Sequence, residues 1–65
     1  MWIISKEYGT FNTDNLWVIT PPLDEEWNYV AAYGGGHGRN VTRGLDNYQK
    51  IIKAIRNGDS IVEVD

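Results

Sequence analysis

The 65-residue sequence predicts a small two-layer α+β fold, a mostly antiparallel sheet of three to five strands packed against one helix, in the order ββββαβ or βββαβ. Three observations predict it. Residues 27–33 alternate with period two, as a strand does. Residues 48–55 place apolar side chains at spacings of three, four and seven, as one face of a helix does. Pro21-Pro22 and the glycines around His37 punctuate the chain between them. A helix with a single apolar stripe needs one surface to pack on, and a short-stranded sheet supplies it.

Trp2-Ile3-Ile4 opens a first strand over residues 1–7, because β-branched and aromatic side chains suit a pleated surface. Gly9 and the cluster Asn12-Thr13-Asp14-Asn15 carry turn chemistry. Residues 16–20, Leu-Trp-Val-Ile-Thr, read as a second strand, which Pro21-Pro22 ends because proline cannot donate to a ladder. Asp24-Glu25-Glu26 reads as a solvated connector. In the next strand Trp27, Tyr29, Ala31 and Tyr33 share one face, Asn28, Val30 and Ala32 share the other, and core packing under the helix explains Tyr29, Ala31 and Tyr33. Glycine at 34, 35, 36 and 38 permits positive φ and a tight reversal, after which residues 39–43 return as a short strand with Val41 inward. Asp46 reads as the N-cap of a helix over residues 47–57, with Tyr48, Ile51, Ile52 and Ile55 as its buried stripe. Gly58 stops the helix, and residues 60–64 add a last strand at a sheet edge.

The length allows one domain, residues 1–65. Domains near this size bury only about 60% of the surface their unfolded chains expose, so the core is marginal. With no cysteine, neither a disulfide nor a thiolate metal site helps. Eight aromatic residues enlarge the core, and together with the isoleucines they exceed what one helix covers. The surplus points to a protein partner or to a homodimer, since Trp and Tyr are enriched at interfaces. The net charge of −3 and pI of about 4.9 disfavour binding to nucleic acid or anionic membranes. The run at residues 1–4 is too short for a signal peptide, and no stretch approaches a membrane span, so the expected location is the cytoplasm.

No catalytic or metal motif is present, and no cofactor is expected. Gly34, Gly35, Gly36, His37 and Gly38, with Arg39 and Arg43, form the one candidate anion site: glycine-rich backbone can cradle phosphate, and the cations add charge. The dinucleotide fingerprint would need glycine where Arg39 stands, and the phosphate-loop signature is absent. A hairpin turn explains the same residues. His37 is the single histidine, too few ligands for a zinc site and without a sequence-adjacent catalytic partner. Trp17, Asp24, Glu25, Glu26 and Trp27 are the candidate protein contacts, an acidic loop between two exposed indoles.

The opening Met1-Trp2-Ile3-Ile4-Ser5, the strand at 16–20, the strand and turn at 27–36, and the helix at 48–55 closed by Gly58 resemble short proteins encoded by phages and prophages of Gram-positive bacteria. The segment 34–38 departs from the tighter turn of that family. The resemblance implies a small accessory protein of a mobile element, acting in the host cytoplasm by binding and blocking a host protein. It transfers no functional residues. The expected function is therefore a non-enzymatic, inhibitory protein-binding module, with a nucleotide or other small anionic ligand at residues 34–38, possible at a dimer interface, as the alternative.

Overall fold

A computed structural model describes residues 1–14, 18–22 and 28–65. The α+β class and the single C-terminal helix are as the sequence predicts. The elements are β1 (Trp2–Ser5), β2 (Gly9–Asn12), β3 (Val18–Thr20), β4 (Tyr29–Gly34), β5 (His37–Arg43), α1 (Leu45–Asn57) and β6 (Ile61–Val64). They form two three-stranded sheets, ordered β2-β1-β6 and β3-β4-β5. Among the described residues only the β1–β6 pair is parallel.

One strand more is present than the sequence suggests. Gly9 to Asn12 carries turn residues yet pairs with β1, Ile3 standing opposite Phe11. Gly9, at φ 100, turns the chain into β2, and Phe11 is the side chain that strand buries. A single apolar side chain decides the strand against its polar neighbours, because pairing satisfies the backbone whatever the propensity.

Both sheets face one core. Ile3, Phe11, Val62 and Val64 come from the first, Val30, Ala32 and Val41 from the second, and Ile51 and Ala54 from α1. In β4 the buried face is Val30 and Ala32, the reverse of the expected aromatic face; Tyr33 is 48% exposed. Small and β-branched side chains of β4 face the helix, and Tyr29 and Tyr33 lie on the opposite face of that strand.

The β4–β5 hairpin contains a bulge. Tyr29 pairs with Arg43 and Val30 with Thr42, but Ala31 pairs with Asn40, leaving Val41 as the extra residue. Successive residues Val41 and Thr42 are consequently both buried, which regular alternation forbids. At the other end Gly34 pairs with His37, so the hairpin closes through Gly35 and Gly36, at φ 58 and 80. Two consecutive positive φ values are what a two-residue type I′ turn requires, and only glycine or asparagine adopts them readily.

The start of α1 is also corrected. Its N-cap is Gly44, at φ 89 and with no side-chain cap, and Asp46 sits inside the first turn, where its charge still complements the helix dipole. The end is as expected. Gly58 adopts a left-handed conformation, its N–H donates to Ile55 O at 3.1 Å, and the Asp59 N–H donates to Ala54 O at 2.9 Å. This pair of bonds is the Schellman closure. Among the described residues no helix is long and apolar enough to cross a membrane.

Candidate functional site

The roll of α1 about its axis determines what the protein presents to its surroundings. Its buried line is Asn47, Ile51 and Ala54. Asn47 anchors that line: its Nδ2 donates to Arg43 O at 2.8 Å, and its Oδ1 accepts the Asp65 N–H at 3.5 Å. Around Asp65, the Thr42 hydroxyl donates to its main-chain oxygen at 2.7 Å and the Ser5 hydroxyl at 3.2 Å. Ser5, Thr42 and Asn47 are the buried polar residues, and no buried side-chain nitrogen or oxygen among the described residues lacks a partner. Polar groups buried without partners are costly, so this cluster holds the helix in one orientation.

That orientation corrects the expected buried stripe at its Ile55 end and keeps Ile51 and Tyr48 against the core. Ile51 is fully enclosed, Tyr48 and Ile52 are half-buried, and Ile55 is 49% exposed. Leu45 is 52% exposed. At about 100° per residue, Leu45, Tyr48, Ile52 and Ile55 form a second stripe, centred roughly 110° around the helix from the buried one. It runs about 15 Å along the axis. A shallow depression of about 580 Å³ lies along one side of it, with Tyr48 and Ile52 as apolar floor and Gln49, Lys53, Arg56 and Asn57 as rim. Two further exposed apolar pairs occur among the described residues. Trp2 pairs across the first sheet with Ile61, and Val18 pairs with Tyr33 beside the hairpin tip.

The anion-site residues do not converge. His37 and Arg39 pair with Gly34 and Ala32 on one face of β5, and the bulge sends Arg43 to the other. His37 and Arg43 stand six residues apart on β5, about 20 Å of strand. Each arginine is already engaged. The Arg39 guanidinium lies 4.2 Å from the centre of the Phe11 ring, capping the core edge. Arg43 Nη2 bonds Glu7 Oε1 at 2.6 Å, and its guanidinium stands 5.0 Å over Tyr29. Tyr8 packs edge-on to Tyr29 at 6.3 Å. Partial burial, followed by the Tyr8 hydroxyl, pushes the Tyr29 phenol above its ordinary value, and the hydrogen bond with Tyr8 raises Arg43. Gly34, Gly36, His37 and Gly38 join Val18 and Tyr33 in a shallow cleft of about 400 Å³ at the hairpin tip. Gly38 leaves room for the Tyr33 ring, which occupies the space a Cβ would need.

Trp17, Asp24, Glu25, Glu26 and Trp27 lie outside the described residues. Among the described residues no group of three or more His, Asp or Glu side chains is placed to hold a metal. The outer stripe of α1 was visible in sequence as three of its four side chains, but periodicity does not say which of two adjacent stripes faces inward. Asn47 and Ala54, a polar and a small residue, carried no signal of burial until their partners were in place. No family model, curated protein or solved structure matches the chain.

Proposed function

We propose that the chain is a small non-enzymatic protein-binding module that acts by occupying a partner's surface, and that it makes contact through the outer stripe of α1. One observation carries this reading: Leu45, Tyr48, Ile52 and Ile55 hold helical register on a face where Leu45 and Ile55 are about half exposed, and of these four the core takes in only part of Tyr48. Leaving apolar area in water forgoes roughly 25 cal/mol per Å², and contiguous apolar patches on small proteins commonly mark interaction sites. The resemblance to accessory proteins of phages and prophages supports the same proposal, in which the partner is a host factor and the outcome of binding is inhibition.

A photo-crosslinking amino acid at Ile55 tests the reading, with the same group at Lys6 as control. Irradiated in lysate of a Gram-positive host, the Ile55 protein should give one defined adduct that the Lys6 protein does not. The adduct should disappear when Leu45→Asp is added, with the circular dichroism spectrum unchanged. Equal adducts at both positions, or none, would remove the reading.

A further inference from the structure

Charge identifies the kind of partner that fits the stripe. Helix α1 carries Lys50, Lys53 and Arg56 against the single carboxylate of Asp46, a surplus of two positive charges. The whole chain is at −3, so the remaining residues hold an excess of five negative charges. The sequence outside α1 is thus acidic on balance and α1 is cationic. Two of its cations, Lys53 and Arg56, border the outer apolar stripe on its Tyr48–Ile52 side, while at about 100° per residue Lys50 lies on the far side of the helix. Lys53 and Arg56 stand at the rim of the depression over Tyr48 and Ile52, and neither has a carboxylate partner among the described residues.

From this juxtaposition we infer that the outer face of α1 is a docking site for an acidic amphipathic helix of another protein. The inference rests on the protein-binding reading above and specifies its chemistry. Apolar anchors of the incoming helix, spaced i, i+3 or i+4 and i+7, seat between Leu45, Tyr48, Ile52 and Ile55, as in other helix-in-groove complexes. Glutamates or aspartates flanking those anchors meet Lys53 and Arg56. A second copy of this chain is disfavoured, because pairing two α1 faces brings two positive surpluses together. An anionic lipid surface is disfavoured by the acidic remainder of the chain, which headgroup phosphates repel.

The probe is a fluorescein-labelled peptide with leucines on one face and glutamates on both flanks, about 18 residues long so that its helix persists. Its twin carries lysine for every glutamate. Fluorescence anisotropy should show the acidic peptide binding at least about tenfold tighter than the basic one, with affinity falling as salt screens the charges. Lys53→Glu combined with Arg56→Glu should invert the preference. Ile55→Asp should abolish binding of both peptides; these positions are exposed, and circular dichroism checks that each variant is folded. Equal affinity for the two peptides, or none for either, overturns the inference. Two further results also overturn it: a dimer by light scattering that Ile55→Asp dissolves, in favour of a second copy, and co-flotation with phosphatidylglycerol vesicles, in favour of lipid. If crosslinking at Ile55 captures a partner but the acidic peptide fails, the docking chemistry falls and the protein-binding reading stands.

Discussion

Ile51 and Ile55 differ by one helical turn and lead opposite lives. Ile51 is enclosed among Val30, Val41 and Val62 in the shared core, and Ile55 meets solvent. Truncating a buried isoleucine removes its transfer free energy and leaves a cavity, so Ile51→Ala should cost about 3 kcal/mol. Ile55→Ala should cost less than about 0.5 kcal/mol, the ordinary range for a surface position. Urea midpoints of the two variants check this, and equal losses would mean that the helix is rolled otherwise. Tyr29 supplies a second test at this scale. Its phenol is raised above the ordinary 10.0 in the folded protein, so the folded state holds that proton more tightly than the unfolded chain does. The resulting stabilisation is complete below the unfolded value and is lost as pH climbs from there through the raised folded value. Urea midpoints measured from pH 8.5 upward should fall more steeply for the native chain than for Tyr29→Phe. Parallel curves would show that Tyr29 is not linked to folding.

Turns and helix ends carry the predictions at the scale of elements. Gly58→Ala places a Cβ at φ 71 and should destabilise by about 1 kcal/mol, because left-handed backbone brings a Cβ too close to the following carbonyl oxygen and alanine has no polar side chain to offset it. Gly35→Asn should instead raise the thermal midpoint slightly. Asparagine tolerates φ 58 at the first position of a type I′ turn and restricts the unfolded chain, a gain of a few tenths of a kcal/mol. Differential scanning fluorimetry reads both shifts. The elements also show what sequence makes legible. Gly58 and the tyrosine-rich strand announced themselves, since a helix stop and a period of two are local signals. Strand β2 did not, because its only burial cue is Phe11 and its pairing partner lies in β1. The N-terminus of α1 was misplaced for a similar reason. Gly44 is fixed by its N–H donating to Asn28 O at 2.8 Å, a long-range bond, whereas Asp46 has the composition of a cap without the position. For the candidate site, the apolar composition of the helix was legible but its roll was not, since roll follows from the contacts of Asn47.

At the scale of the whole molecule, two sheets and a helix share one set of buried apolar side chains, nine among the described residues. Among those residues neither sheet has a second core to fall back on. Ile3 of β1 and Val30 of β4 are both fully enclosed in that set, so opening one sheet exposes the other. Unfolding should therefore be one cooperative transition, with tryptophan fluorescence and far-ultraviolet circular dichroism coinciding along a urea titration. Separate midpoints would show that one sheet survives alone. The same economy explains why so much apolar surface remains outside. A core this small is filled by Ile3, Phe11, Ile51 and a set of valines and alanines, and larger side chains such as Leu45, Ile55 and Ile61 remain about half exposed.

The extra residue at Val41 decides which way the two ends of β5 face. A regular seven-residue strand would set His37, Arg39, Val41 and Arg43 all on one side. With Val41 and Thr42 both opposite Val30, Arg39 keeps the core side beside Phe11 while Arg43 turns to Glu7 and Tyr29. Deleting Val41 would leave both arginines in place, Arg39 opposite Ala32 and Arg43 opposite Tyr29, with the loss of one core side chain. Straightening the strand at its present length is the change that would exchange inside for outside at one end.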